Sequence, residues 1–249
     1  MQINSKSIKK RFEKSMDKYD ENALVQSELA QKLTFELAKI NTQFDNILEL
    51  GCGTGILTKE IKKHFGYKGY YANDLVEKSK NYIAKILPQY TFIHGNAQKI
   101  KPTKKFDLII SNAMFQWFSD IEELIKYYKN FLTEKGILAF STFGPENFCE
   151  IKDLSGLSLN YKNKQELINI ISKDYEILYT DEYRVTLDFE NPLALLAHMK
   201  NTGVNSLTAK TWTVREVKEF CEKYLKKYNE VKLTYHPILI IAKVKSASK

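Results

Sequence analysis

Apolar residues near the N-terminus recur every three or four positions, which is the period of an amphipathic helix. These positions fall into two sets, Ile8, Phe12, Met16 and Tyr19, then Leu29, Leu33 and Leu37. We therefore predict that residues 5–40 are helical and that residues 1–40 form an N-terminal helical segment.

From residue 47 to residue 143 short apolar runs alternate with helical patterns. The apolar runs predict strands at 47–50, 70–73, 90–94, 106–111 and 136–143. The helical patterns predict helices at 56–65, 77–87 and 120–132, the last with Ser119 as its N-cap. Alternation of this kind favours an α/β fold in which a parallel sheet carries helices on both faces.

The pattern becomes less regular after Gly144-Pro145. It predicts a short helix at 165–172, one or two strands within 176–189, helices at 192–201 and 214–228, and a closing strand at 231–244. Pro237 lies inside that strand and has no N–H, so we expect an edge position in the sheet. The tail 245–249 is expected to fray, and no repeat or linker divides residues 1–249 into separate domains.

Composition excludes several classes of protein. The chain has 249 residues, of which 43% are hydrophobic, enough for a large core. No apolar run approaches the ~20 residues of a membrane span, and the first residues lack a signal-peptide core. Cys52, Cys149 and Cys221 are far apart and form no C-x-x-C pair. We expect a reduced, cytoplasmic protein with no disulfide, metal site or membrane partner.

The net charge of +8 is compatible with an anionic partner. The alternative is a genome biased to A and T, which favours lysine, asparagine, isoleucine and tyrosine regardless of function. Nearly all of the positive charge is lysine, since the only arginines are Arg11, Arg184 and Arg215. Proteins that read nucleic-acid bases favour arginine for its bidentate contacts. We therefore expect a smaller acidic partner rather than a nucleic acid.

One glycine-rich segment carries the clearest chemical signal. Glu49-Leu-Gly-Cys-Gly-Thr-Gly55 connects a predicted strand to a predicted helix, where glycines allow a sharp turn and close approach of a ligand. The spacing is neither the dinucleotide G-x-G-x-x-G nor a phosphate-binding P-loop. An acid beside the loop would repel a phosphate and would suit a cationic or amine-bearing ligand.

Two positions after the following strands extend this candidate site. Asp74 lies 19 residues beyond Gly55 at the end of the second strand, where doubly wound folds place an acid that accepts ribose hydroxyls. Asn96 follows the third strand, directly after Gly95. The amide oxygen of Asn96 can accept a hydrogen bond, but without charge.

The segment after the fourth strand lacks two features of enzymes that act on nucleobases. It reads Ser111-Asn112-Ala-Met-Phe115-Gln116-Trp117. It has no Pro-Pro pair of the kind that base-amino methylating enzymes carry, and no reactive cysteine stands near a strand end. Both absences argue against methylation of a nucleobase. Phe115 and Trp117 are candidates for a pocket wall, with core packing as the alternative.

These motifs resemble those of class I S-adenosylmethionine-dependent methyltransferases, and several segments narrow the resemblance to the malonyl-[acyl-carrier protein] O-methyltransferases of biotin synthesis. The segments, which together span nearly the whole chain, are Arg11-Phe12 to Gln26, Asn112 to Trp117, Ser141 to Pro145, Met199 to Gly203 and Leu233 to His236. The resemblance implies a Rossmann-like fold with a seven-stranded, mostly parallel sheet and a helical lid at 192–228.

The resemblance also implies a reaction. S-adenosylmethionine would methylate the free carboxylate of a malonyl thioester on acyl carrier protein or coenzyme A, giving S-adenosylhomocysteine and a methyl ester that primes pimelate and biotin synthesis. The implied cofactor-binding residues are Tyr19, Glu49, Gly51, Cys52, Gly53, Gly55, Asp74, Leu75, Asn96, Ala97 and Asn112. A monomer is expected.

No general base is needed, because a carboxylate is ionised at neutral pH. Candidates to orient that carboxylate are Tyr19, Trp117, Lys200 and His236, with Arg184 as a further one. Some relatives have arginine where this chain has Cys149, which leaves a role for that position open. The alternatives are a methyltransferase for another small carboxylic acid or a quinone precursor, an inactive cofactor-binding protein, and a nucleic-acid methyltransferase.

Overall fold

The computed structural model, which describes residues 5–203 and 212–245, is built around a seven-stranded sheet. Its strands are β1 (Gln43–Leu50), β2 (Gly66–Asp74), β3 (Thr91–His94), β4 (Phe106–Ser111), β5 (Leu132–Phe143), β6 (Tyr175–Glu182) and β9 (Pro237–Val244). Strands β7 (Val185–Asp188) and β8 (Lys232–Tyr235) pair with each other in a separate two-stranded sheet. The order in the seven-stranded sheet is β3-β2-β1-β4-β5-β9-β6. Within this sheet, β9 runs antiparallel to the two strands beside it, β5 and β6, and the other pairs are parallel. The predicted seven-stranded, mostly parallel sheet is confirmed.

Helices cover both faces of this sheet. Within the described ranges they are α1 (Ser5–Asn22), α2 (Leu24–Ala38), α3 (Ile56–His64), α4 (Ser79–Ile86), α5 (Ile121–Lys129), α6 (Cys149–Ser155), α7 (Lys164–Ile171), α8 (Pro192–Asn201) and α9 (Val214–Lys227). Side chains alternate across the central strands, so Ile47 packs with α2 and α3 while Leu48 packs with α5 and α7. The two faces therefore bury two separate apolar layers, as parallel sheets require.

The closing strand differs from the prediction. It is two strands, because Tyr235 ends β8 and Pro237 begins β9. Pro237 is opposite Phe143, and β9 lies between β5 and β6 rather than at an edge. The edge prediction was wrong because the first residue of a strand can also do without an N–H.

Other parts of the prediction are also refined by the structure. The N-terminal helical segment consists of two helices that separate at Ala23, and the strand region 176–189 holds two strands. Helix α6 was not predicted. Residues 1–4 of the N-terminal segment, 204–211 of the predicted lid and 246–249 of the tail lie outside the described residues. Within residues 5–203 and 212–245, no helix is long and apolar enough to cross a membrane.

Helix α5 begins one residue later than predicted. Asp120, not Ser119, is its N-cap, because the Asp120 side chain accepts a hydrogen bond from the Glu123 N–H at 2.8 Å. This contact satisfies one of the N–H groups that have no partner inside the helix. Asp120 is followed by two acids in the first turn, Glu122 and Glu123. Their negative charges interact favourably with the positive, N-terminal end of the helix dipole.

Replacing the true cap should therefore destabilise the protein. We expect Asp120→Ala to lower the free energy of unfolding by about 1 kcal/mol, the usual effect of losing an N-cap. Ser119→Ala is the matched control and should change it by less than about 0.5 kcal/mol. Urea unfolding of the two variants checks this, and an equal loss in both would contradict the assignment of the cap.

Candidate functional site

A cavity of about 1090 Å³ lies at the carboxyl ends of the parallel strands. This is where open α/β sheets bind their ligands. The turn after β1, the end of β2, the segment after β4 and Phe143 at the end of β5 contribute to its lining. Helix α1 covers it with one side, through Ser5, Ile8, Lys9, Phe12 and Tyr19. The cavity is thus built from both the sheet and the N-terminal segment.

The glycine turn after β1 has no room for side chains. Gly51, Gly53 and Gly55 have φ values of 70°, 53° and 85°, in the left-handed region that favours glycine. A Cβ on Gly51 would lie 2.6 Å from the Met114 sulfur, and one on Gly53 would lie 3.0 Å from Cζ of Phe12. The bare backbone of this turn therefore forms part of the cavity wall.

Hydrogen bonds hold the turn against the end of β2. The N–H groups of Gly51 and Cys52 both donate to the Asn73 carbonyl at 2.9 Å. The Gly53 N–H donates to Oδ2 of Asp74 at 2.8 Å, and the Val76 N–H donates to Oδ1 at 2.7 Å. Each carboxylate oxygen accepts one N–H and keeps a second lone pair, so Asp74 can shape the turn and still accept from a ligand. Burial raises the pKa of Asp74.

Glu49 is a buried acid with one unpaired oxygen. Its Oε2 accepts hydrogen bonds from the Thr58 hydroxyl, at 2.6 Å, and from the Tyr70 hydroxyl. Its Oε1 is buried and has no hydrogen-bond partner. Burial raises the pKa of Glu49 to about 7, and the two hydroxyl donors oppose that rise. Because Glu49 also lines the cavity, its free oxygen suits an ammonium group bound there.

Gln26 on α2 is a second buried side chain with an unpaired acceptor. Its Oε1 has no hydrogen-bond partner, and the residue lines the cavity. The backbone carbonyl of Gln26 accepts a hydrogen bond from the Asn112 side chain at 2.9 Å, and this contact joins α2 to the end of β4. The sequence offered one signal for Gln26, a polar residue at a position where α2 is otherwise buried and largely apolar, but we did not predict its role.

The segment after β4 is held in an unusual conformation. Ala113 has a φ of 50°, which is uncommon for a residue with a side chain. Its N–H donates to the Ser141 hydroxyl at 2.9 Å, and that hydroxyl donates to Oδ1 of Asn112 at 2.5 Å. Both polar atoms of the Asn112 side chain are therefore engaged within the protein. Strain of this kind is typical of functional sites.

The structure brings most of the predicted site residues together. Those that line the cavity are Tyr19, Glu49, Gly51, Cys52, Gly53, Asp74, Leu75, Asn96, Ala97, Asn112 and Trp117. Oδ1 of Asn96 accepts the Gln98 N–H at 2.9 Å, so this side chain also shapes its own turn. Three predicted residues do not line the cavity: Gly55, Lys200 and His236.

Each of these three residues has a different environment. Gly55 is the N-cap of α3, and a Cβ there would lie 2.2 Å from Cδ1 of Ile86. The Lys200 side chain is exposed, at the C-terminal end of α8. His236 is buried between the end of β8 and the start of β9, where Nε2 lies 2.9 Å from a Glu182 oxygen and Nδ1 accepts the Glu146 N–H at 3.2 Å. Neither ring nitrogen of His236 is directed into the cavity.

The structure also decides between wall and core for two aromatic residues. Trp117 lines the cavity from a single 3-10 turn. Phe115 is part of the core, where its ring stacks on Phe140 with 4.3 Å between centroids. Arg184, the further candidate, pairs with Glu146 at the surface.

The lining as a whole suits a nucleoside carrying a cationic amine. Glu49 offers a free buried acceptor, Asp74 has lone pairs for a diol, and Leu75 and Ala97 provide apolar surface for a ring. Among the described residues that line the cavity, Lys9 is the one basic residue. Within residues 5–203 and 212–245, no group of three acids, histidines or cysteines could hold a metal ion.

Comparison with known proteins agrees with this geometry. Residues 19–176 match the family described as a methyltransferase domain. The chain is 39% identical to malonyl-[acyl-carrier protein] O-methyltransferase of Calditerrivibrio nitroreducens, over 94% of each chain. It is 37% identical to the protein of that name from Bacteroides thetaiotaomicron, over 98% of this chain and 99% of the other.

Among solved structures, the N-methyltransferase NodS from Bradyrhizobium japonicum, in complex with S-adenosyl-L-homocysteine, is similar with a TM-score of 0.53. The two sequences are 13% identical, and the match covers 87% of this chain and 86% of NodS. At that identity the likeness concerns the fold.

The raised pKa of Glu49 predicts a pH-dependent stability. A buried carboxyl whose pKa is about 7 binds more protons in the folded than in the unfolded protein between pH 4.5 and 7, so its contribution to stability falls as the pH rises through that range. Glu49→Gln keeps an oxygen for Thr58 and Tyr70 but cannot ionise. We expect the variant to gain on the order of 2 kcal/mol relative to wild type between pH 5 and pH 8.

Urea unfolding of ligand-free wild type and Glu49→Gln at both pH values measures this difference. Thr58→Val is a companion variant: it keeps the titrating group and removes a donor that lowers the pKa of Glu49, so its stability should remain dependent on pH. A stability difference between Glu49→Gln and wild type that stays constant with pH would contradict the assignment.

Proposed function

This chain belongs to the family of malonyl-[acyl-carrier protein] O-methyltransferases, and on that premise we propose that it methylates the free carboxylate of a malonyl thioester. The methyl donor is S-adenosylmethionine and the product a methyl ester that primes pimelate and biotin synthesis. The donor half of the proposal is carried by one observation, the unpaired buried oxygen of Glu49 beside the glycine turn. The acceptor half is supported by similarity over nearly the whole chain.

The proposed cofactor supplies a methyl group already activated on a sulfonium. Glu49 would hold its amino group, since an ammonium ion satisfies both the charge and the free lone pairs of the acid. Asp74 would accept from the ribose hydroxyls with the lone pairs that Gly53 and Val76 leave free. Leu75 and Ala97 would flank the adenine ring.

The acceptor end of the cavity needs to bind a carboxylate without reducing its reactivity. The Tyr19 hydroxyl and the Trp117 indole N–H have no hydrogen bond to any other residue in the part of the chain that the structure describes. We propose that these two neutral donors orient the malonyl carboxylate. Burial raises the pKa of Tyr19, so its hydroxyl stays protonated and able to donate.

Catalysis then rests on alignment and on exclusion of water. A carboxylate is ionised at neutral pH and needs no base, so its oxygen has only to be held in line with the methyl group. Removing water from the carboxylate would make it more reactive. Lys200 and His236 lie outside the cavity lining, and we do not assign them contacts with the substrate.

Helical segments would close the site. We propose that residues 192–228 act as a lid within a single domain of residues 1–249, a role supported by Thr202 and Gly203, which reach the cavity just after α8. Helix α1 would close the other side. A cytoplasmic monomer completes the proposal, and analytical ultracentrifugation tests the oligomeric state.

Transfer of labelled methyl to defined acceptors tests the function. We expect label to appear on malonyl-acyl carrier protein, with malonyl-coenzyme A as a second acceptor of the same chemistry. A succinyl thioester, a small free carboxylic acid, a quinone precursor and bulk RNA are the comparison acceptors. Label on any of these in preference to both malonyl thioesters would reject the proposal.

Asp74→Asn tests the assignment of the ribose site. It keeps one oxygen to accept from the backbone but loses the charge and one acceptor. We expect S-adenosylhomocysteine to bind about 5- to 150-fold more weakly, equivalent to roughly 1–3 kcal/mol. Isothermal calorimetry measures this.

Asp107→Asn is the matched control for that experiment. Oδ2 of Asp107 accepts two backbone N–H groups, from Asp45 at 3.0 Å and Asn46 at 2.9 Å, near the amino ends of β1 and β4. It should lose a similar structural contact and bind the ligand normally. Equal affinities of the Asp74→Asn variant and wild type would refute a cofactor role for Asp74.

A further inference from the structure

Helix α1 has a basic stripe on its outer side. Lys10, Lys14 and Lys18 are spaced by four residues, so they lie one above another along the helix. All three side chains are exposed. We call these three residues the lysine stripe. It belongs to a segment, from Ser5 to Lys18, with six basic and two acidic residues.

The lysine stripe combines regular spacing along one helix with side chains that no acid among the described residues pairs with. Some surface lysines elsewhere do pair with acids, as in Lys32–Asp181 at 2.5 Å and Lys129–Asp174 at 2.5 Å. No member of the stripe forms an ion pair with a residue in 5–203 or 212–245. Like charges four residues apart on a helix repel each other and destabilise it. An anionic partner would remove that repulsion.

The opposite side of the same helix forms the wall of the cavity. Ile8, Phe12 and Tyr19 line it, and Phe12 lies close against Gly53 of the glycine turn. Asp20 fixes the end of α1 to that turn, since it accepts from the Thr54 hydroxyl at 2.5 Å and from Lys59 at 2.8 Å. The lysine stripe is therefore one helix diameter away from the cavity, about 10 Å.

We propose that the lysine stripe docks an acidic carrier protein that presents the malonyl group on a flexible thioester arm. This inference rests on the proposed function, and it names the surface and the chemistry of the partner. A carrier held there lies beside the cavity, so its arm can enter while its acidic surface stays on α1. Charges of this kind mainly raise the rate of encounter, and they make it sensitive to salt.

The test compares a charge reversal on the stripe with the same reversal elsewhere. Lys10→Glu with Lys14→Glu reverses the stripe; neither residue lines the cavity. Lys126→Glu with Lys135→Glu is the matched control. Both of its lysines are exposed, and neither forms an ion pair with a described residue. Thermal unfolding confirms that both double variants are folded.

Two substrates separate docking from catalysis. Malonyl-acyl carrier protein offers the whole acidic surface, and malonyl-pantetheine offers the thioester arm alone. We expect the stripe variant to lose about tenfold in kcat/KM on the carrier substrate at low salt, through KM, and to lose most of its salt dependence. Both double variants should turn over malonyl-pantetheine like wild type. The control variant should also match wild type on the carrier.

Equal loss on both substrates, equal loss in both double variants, or no loss at all would overturn the inference. Failure of the proposed function has a different signature, namely no methylation of either malonyl thioester by the wild-type protein. Direct binding covers that case: fluorescence anisotropy of labelled malonyl-acyl carrier protein should show weaker binding to the stripe variant alone. Stronger binding of RNA than of the carrier, lost in the same variant, would instead assign the stripe to a nucleic acid.

Discussion

The contact between the Gly53 N–H and the Asp74 carboxylate is the constraint on which the site depends. It joins the turn after β1 to the end of β2, together with the two bonds from Gly51 and Cys52 to the Asn73 carbonyl. The turn can approach Asp74 only because Gly51 and Gly53 take left-handed conformations. The same acid therefore fixes the backbone that forms the cavity wall and itself lines the cavity.

Charge is divided between the inside and the outside of the site. Inside, two buried acids meet the cavity, and burial raises the pKa of both. A cationic ligand stabilises their ionised forms, so binding and ionisation support each other. Outside, α1 presents the lysine stripe to solvent. One helix thus separates a cavity lined by two buried acids from a surface that carries exposed lysines, an arrangement that would suit the proposed cationic methyl donor and acidic carrier.

Local patterns were reliable where a short stretch of chain decides its own conformation. The strand 106–111 was predicted at its observed bounds, and the helices at 56–65 and 192–201 to within a residue. Errors arose where two local readings were possible. Pro237 suits either an edge or the start of a strand, and Ser119 and Asp120 both make good caps. The position of β9 inside the sheet decided the first case, and the start of α5 decided the second. The residue types alone did not distinguish these alternatives.

The sequence by itself determined the glycine turn, the acid at the end of β2 and the family, since these depend on residue types at fixed spacing. Only the tertiary structure decided which side chains share the cavity. The cavity lining includes Gln26, Phe12 and Ala113. Lys200, by contrast, is exposed, and His236 forms hydrogen bonds with Glu182 and Glu146. The reason is physical: motif spacing specifies the local backbone, whereas a side chain's neighbours come from elements far apart in the chain, packed together by burial of apolar surface.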